Sequence, residues 1–243
     1  MCGRFVSLHP DWDHWQTLGI TKNPDHPMPV FCANVAPSES ISVIGRHSRS
    51  DLLAVKPMPW GIKPPWPKAP WLINIRLEST REKPWFKSLW RRQRCLVPMR
   101  GFYEWQRHDQ GNIPFLIHTK EPLTVAGLWF RAEDPSKAPF QVALVTQEAP
   151  QWFNWLHHRF PLVIAPSNRL SFLRDGLWDT NASDSLDLQD SGDFLCREMT
   201  TALNHSREKR SEVLFDGQSI EEVFGTKLRK NQNPCDGIGP PPR

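Results

Sequence analysis

The chain has 243 residues, 23% of them charged and 39% hydrophobic, which describes an ordinary globular protein with enough length for a sizeable core. Lys and Arg number 30 against 26 Asp and Glu, and the formal net charge of +4 is compatible with nucleic acid without specifying it. No apolar run approaches the roughly 18 residues that cross a bilayer, and no basic-then-apolar signal opens the chain, so a cytoplasmic monomer with no membrane partner is expected.

The five cysteines, at 2, 32, 95, 196 and 235, are odd in number and form no CxxC pair. That pattern suggests neither a disulfide framework nor a cysteine zinc site, and no metal or cofactor is expected. Twenty-four prolines favour short strands and irregular loops over long helices. Twelve tryptophans stand against one tyrosine, Tyr103; indoles serve as core residues and as stacking surfaces for bases.

In chain order, Asp11 can cap a helix carrying Trp12, Trp15 and Leu18. Ile41–Ile44 and Leu52–Val55 read as strands around a polar turn from His47 to Asp51. Pro57 to Pro70 cannot be a helix interior and reads as a rigid surface loop presenting Trp60 and Trp66. Leu72 to Glu78 reads as a strand, with Ile73, Ile75 and Leu77 on one face and Asn74, Arg76 and Glu78 on the other. Arg81 to Arg94 reads as a helix with Trp85, Leu89 and Trp90 on its apolar side.

Gly101–Trp105 and Ile113–Ile117 form an expected hairpin across Asp109–Asn112. Glu104 lies among aromatics there; turned inward, it needs a cationic partner or a raised pKa. Leu123–Phe130, Phe140–Thr146 and Pro161–Ile164 read as strands, Gln151–His158 as a helical turn, and Asn168 as the cap of a helix from Arg169 to Arg174. A polar loop from Thr180 to Asp193 follows, then a strand and short helical pieces between Phe194 and Phe224. Many short, mostly antiparallel strands with few helices define the expected fold class, α+β, as a single compact domain over residues 1–225 built on a barrel-like mixed sheet. Residues 226–243 have the composition of a disordered tail.

A cysteine at position 2 has special chemistry once the initiator methionine is removed. The new N-terminus carries an amine and a thiol on adjacent carbons, with reference pKa values near ~7.7–8.0 and ~8.5. The amine condenses with an aldehyde and the thiol then closes a five-membered thiazolidine. Arg4 would favour the thiolate by charge. Cys2, Asn74, Glu104 and one of the adjacent His157 and His158 form the constellation suited to such chemistry. By residue type alone, a buried inert cysteine and a surface histidine explain these positions as well.

Ordered motifs add specificity: Met1-Cys2-Gly3-Arg4-Phe5, Asn34-Val35-Ala36-Pro37, Trp60-Gly61-Ile62-Lys63-Pro64-Pro65-Trp66, Asn74-Ile75-Arg76-Leu77-Glu78 and Gly101-Phe102-Tyr103-Glu104-Trp105. Pro114-Phe115, Ala126-Gly127-Leu128-Trp129 and His157-His158-Arg159-Phe160-Pro161 follow. In this order the chain resembles the SOS-response-associated peptidase (SRAP) family of abasic-site DNA–protein crosslinking proteins, from residue 2 to about residue 165. The resemblance implies that Cys2 links covalently to the open-chain aldehyde of an abasic site in single-stranded DNA. It selects His157 from the histidine pair and matches Arg159 to a phosphate-contacting arginine. His158 departs from the acidic residue usual in the family, and Phe160 from its Met or Arg.

On that resemblance the expected catalytic set is Cys2, Asn74, Glu104 and His157. His157 protonates the sugar ring oxygen, Glu104 takes a proton from the amine, and Asn74 holds the sugar or amine. The expected DNA-contacting set is Arg4, Asn34, Pro37, Trp60, Trp66, Arg76, Trp105 and Arg159, with the arginines on phosphates and Trp60 and Trp105 stacking on bases. The partner is single-stranded DNA containing abasic sites, which would place the protein on the nucleoid when bound. Two other readings stay open: a thiol peptidase or autoprotease using Cys2, and a non-catalytic single-strand-binding module.

Overall fold

A computed structural model describes residues 2–8, 20, 31–46, 53–109, 111–131, 140–174 and 194–224. The helix expected after Asp11, the polar turn from His47, the loop from Thr180 and the tail beyond residue 225 lie outside the described residues.

Nine strands share one sheet, and nearly all pairings are antiparallel. β1 (Arg4–Ser7), β2 (Ser40–Arg46), β3 (Leu53–Pro59) and β4 (Asn74–Arg76) come first. Two short helices follow, α1 (Leu77–Glu82) and α2 (Pro84–Arg92). Next come β5 (Arg94–His108), β6 (Gly111–Arg131), β7 (Phe140–Glu148) and β8 (Arg159–Pro161). The last described elements are α3 (Arg169–Leu173), β9 (Leu195–Glu198), α4 (Ser211–Leu214) and α5 (Ile220–Phe224).

The path β3-β2-β5-β6-β7-β4 carries β1 on β5, β8 on β7 and β9 on β6. The sheet curls but does not close by a ladder. A single parallel bridge, Trp60 to Val142, brings the end of β3 up to β7. The fold class is therefore the expected α+β sheet protein. Among the described residues no helix is long and apolar enough to cross a membrane.

Successive residues of the long strands feed different cores, because side chains alternate faces with a period of two. Val43, Val97, Phe102, Val125 and Leu144 point into the curl with Cys2, Phe5 and Trp60. Their neighbours Ile44, Leu96, Ala126 and Val145 face outward, where α2 covers them with Phe86, Leu89 and Trp90. Further along, Val6, Tyr103 and Leu116 meet Leu203, Leu214, Phe215 and Phe224. Burial on both faces explains why these strands read as nearly continuous hydrophobic runs. Each buried large side chain contributes about 1.5–3 kcal/mol of transfer free energy.

Several boundaries differ from the sequence reading. The expected strand from Leu72 gives way to α1 at Leu77. Ile75 and Leu77 are both buried, and two residues of equal spacing cannot mark where a strand stops. The expected single helix from Arg81 is broken at Lys83, held extended at φ −99° and ψ 124°. Pro84 excludes the helical conformation from the residue before it and suits the first position of the next helix.

The strands expected at 113–117 and 123–130 are one element, β6, whose pairing with β5 shifts register between Met99 and Gly101. Asn168 makes no capping bond to α3 through its side chain; its carbonyl instead accepts from Ser171 Oγ at 2.9 Å.

Candidate active site

The N-terminal segment enters the mouth of the curl. β1 pairs with β5 in the register Arg4 to Tyr103 and Phe5 to Phe102. One residue earlier, Gly3 falls at the level of Glu104, which brings Cys2 to the site. Cys2 is 1% exposed. Asn74, the first residue of β4, donates from Nδ2 to the Cys2 carbonyl at 2.8 Å. Its Oδ1 is buried and accepts no hydrogen bond. The position of Asn74 follows from β4 lying parallel to β7, with Asn74 opposite Leu144.

Glu104 shares the inner face of β5 with Phe102, opposite Phe115 of β6, and is buried. It therefore points inward, the harder of the two alternatives left by the sequence. Trp105 N–H donates to its Oε1 at 3.3 Å. Its charge is felt at both the Cys2 thiol and the His157 ring. Burial first, then the Glu104 carboxylate, push the Cys2 thiol far above its ordinary range. This opposes the thiolate expected from Arg4, and Sγ is directed to the Arg4 carbonyl at 3.7 Å. The Arg4 guanidinium turns elsewhere.

His157 follows the short 3-10 turn Gln151–Phe153. The Arg159 backbone N–H donates to its Nδ1 at 2.9 Å, so in the neutral ring the proton resides on Nε2. Burial lowers the His157 pKa below its ordinary value; the Glu104 carboxylate opposes this, and the His158 ring, stacked at 4.4 Å, assists it. Cys2, Asn74, Glu104 and His157 are thus brought together from four separate segments.

The expected DNA-contacting residues divide. Trp60 is 0% exposed, packs 5.2 Å from Phe5 and donates from Nε1 to the Ile73 carbonyl. This corrects the expectation of a surface stacking residue: the indole is part of the core beside Phe5. Asn34 is fully buried, accepts from Arg4 at 3.0 Å and donates to the carbonyls of His205 and Glu208. It joins the N-terminal strand to the segment after β9.

Arg4 also reaches the Leu203 carbonyl and lies 5.6 Å over the Trp105 ring. Trp105, half-buried, donates to Asn204 Oδ1. Pro37 is half-buried in the turn that hydrogen-bonds to the Trp60 backbone through Ser38. Arg76 is exposed beside the site. Trp66 is 40% exposed on a loop that also carries Trp71 at 45%. Gly61 anchors that loop at φ +127°, where a Cβ would lie 1.9 Å from the Trp71 indole nitrogen.

Arg159 is buried and holds a two-bond ion pair with Glu78, both at 2.9 Å, and the Thr146 carbonyl at 2.7 Å. Sequence reasoning placed Glu78 on the polar face of its motif but not as this partner, since 81 positions separate the two. Burial pushes the Glu78 carboxyl up, and the hydrogen-bonded Arg159 guanidinium outweighs it, leaving the pKa below the usual value.

A depressed folded-state pKa stabilises above the unfolded value and the contribution is lost as pH falls through the folded one. Wild-type stability is expected to drop below about pH 4, and Glu78→Gln to flatten that drop. Chemical denaturation from pH 6 to pH 3 checks this, and an unchanged slope in Glu78→Gln counts against it.

The arrangement defines a class: a curled-sheet protein whose penultimate cysteine, an amide, a carboxylate and an imidazole converge at one mouth. A family model described as SOS response associated peptidase (SRAP) matches residues 1–206, and the chain belongs to that family. The abasic site processing protein YedK of Escherichia coli is 29% identical over 189 residues, 76% of this chain and 84% of that one. The abasic site processing protein YoqW of Bacillus subtilis is 28% identical over 228 residues, 88% of this chain and 99% of that one. A solved phage-related protein from Bordetella bronchiseptica, at 24% identity and a TM-score of 0.66, covers 81% of this chain and 93% of its own. A solved Bacteroides thetaiotaomicron protein has a TM-score of 0.68 at 18% identity, with 83% and 93% covered.

Proposed function

We propose that this chain processes abasic sites in single-stranded DNA by forming a thiazolidine crosslink through Cys2, whose α-amine is freed by removal of Met1. The observation that carries the reading is the pinning of the Cys2 carbonyl by Asn74 Nδ2, with the buried Oδ1 of the same side chain open to a donor from the sugar or the α-amine. The abasic-site names of the family relatives support the substrate.

The abasic sugar is mostly a closed ring. His157 protonates the ring oxygen through Nε2 and opens it. Glu104 removes a proton from the Cys2 ammonium, and the amine attacks the C1′ aldehyde carbon. Water leaves to give the imine. The thiol sulfur then adds to the imine carbon while its proton passes, through Glu104, to the nitrogen. A thiol whose pKa is raised by burial suits amine-first chemistry, and it disfavours the thiol-peptidase reading, which needs a thiolate.

Arg76 and Trp66, both exposed, supply the proposed strand contacts, with Arg4 and Trp105 at the rim and Pro37 beside them. Arg159 reaches a phosphate only by exchanging its Glu78 partner. Binding is to one strand, by a monomer.

The test is a denaturing gel after incubation with single-stranded DNA carrying one abasic site. A heat-stable adduct that is absent with intact DNA and reduced with an abasic duplex supports the reading. No adduct from protein whose intact mass shows Met1 removed would sink it. With the acid on His157, the rate is expected to fall as pH rises through a value below 6.5, because burial lowers that pKa. Single-turnover rates from pH 5 to pH 9 should show this limb in wild type and not in His157→Gln.

A further inference from the structure

A cavity among the described residues lies away from Cys2. It measures about 190 Å³ and is lined by residues of β2, β3, β5, β6 and β7, among them Gly45, Ala54, Lys56, Cys95, Trp129 and Phe140. Cys95 lies at the start of β5, nine positions before Glu104, up to about 30 Å along extended strand. The cavity is therefore at the opposite end of the curl.

Its space has a cause in the sequence. Gly45 and Ala54 are directly opposite each other in the β2–β3 register, the pair with the least side chain where large ones would fill the curl. A Cβ built on Gly45 meets no atom within 4 Å. Trp129 and Phe140, edge to face at 5.6 Å, wall the space.

Lys56 is the informative residue. On β3 it shares a face with Ala54 and Met58, and Met58 is buried in the core. The lysine thus stands on the wall of the cavity, half-buried. No hydrogen bond or ion pair engages its ammonium among the described residues; its one contact is the Phe140 ring, 5.7 Å away. An ammonium at the wall of an apolar cavity, with no anion on it among the described residues, favours an anionic ligand.

We propose that this cavity is a binding site for a small single-ring aromatic anion, with the ring over Gly45 and Ala54 between Trp129 and Phe140 and the anionic group on Lys56. The size fits: a cavity of about 150 Å³ lined by apolar side chains admits benzene. The charge selects an acid over its neutral isostere. The ligand is not part of the Cys2 reaction, and the site stands or falls separately from it.

Calorimetric titration of the full chain with benzoate, and with benzamide as the uncharged probe, tests the site. Saturable benzoate binding is expected, with benzamide at least about tenfold weaker, as one charge-assisted hydrogen bond warrants. Lys56→Gln should weaken benzoate about tenfold and leave benzamide within about twofold. Ala54→Leu and, separately, Gly45→Val should abolish both by filling the space, with near-UV circular dichroism confirming the fold. Absence of saturable benzoate binding to wild type overturns the proposal, as does benzoate binding unchanged in a folded Ala54→Leu or Gly45→Val protein. In that event the lysine acts only to deter pairing at the β3 edge.

Discussion

Replacing Cys2 by alanine is expected to abolish the heat-stable adduct with abasic single-stranded DNA while leaving the protein folded. The side chain is buried, but only one heavy atom is lost, and the cost is about 1 kcal/mol. The α-amine survives in Cys2→Ala, so the imine still forms. Without sulfur it has no intramolecular trap, whose advantage in good geometry is about 7–11 kcal/mol. The imine is then expected to partition to β-elimination, and the gel should show a cleaved strand where wild type shows a retarded one. Adduct from Cys2→Ala at the wild-type yield would remove sulfur from the mechanism. Cleavage in place of crosslinking would place the amine first and the thiol second, the order that the raised thiol pKa favours.

Trp60→Ala is expected to cost about 3–5 kcal/mol of folding stability, the range for truncating a large aromatic in a packed core. A typical domain has a total of about 5–15 kcal/mol, so this single change threatens the fold. Trp60 has no exposed surface, fills the curl beside Phe5, and its indole N–H is satisfied by the Ile73 carbonyl one residue before Asn74. Truncation leaves a cavity under the strand of the candidate site, and the Ile73 carbonyl keeps only its bond from Leu144 N–H. Trp66→Ala, at a 40% exposed side chain resting on Trp85, should cost about 1 kcal/mol or less. Urea unfolding of the two variants reads the difference. A wild-type midpoint for Trp60→Ala together with weakened DNA binding would restore the stacking role.

How far the site was legible follows from what kind of information each residue carries. Cys2, Asn74, Glu104 and His157 sit in motifs whose residue types have few alternative uses in combination, and the family resemblance selected His157 over His158. The orientation of Glu104 was not legible, because either face of β5 satisfies an alternating pattern until the strand has neighbours. Trp60 and Trp66 sit six positions apart in one proline-rich motif; one is core and one is surface. Nothing in a proline-rich loop has a period from which to tell them apart. Arg159 reads as a free cation until Glu78, far away in sequence, is seen to hold it.

By itself the sequence determined the α+β class, the order of most strands and the chemical identity of the candidate N-terminal nucleophile. Those depend on local matters: side-chain period, turn residues, and an amine and thiol on adjacent carbons. Only the tertiary structure decided that burial raises the thiol pKa, that His157 presents Nε2, that Trp60 and Asn34 are internal joints, and that Lys56 lines a cavity. Each of these depends on burial and on partners from distant segments, and a desolvated charge or a tautomer has no signature along the chain.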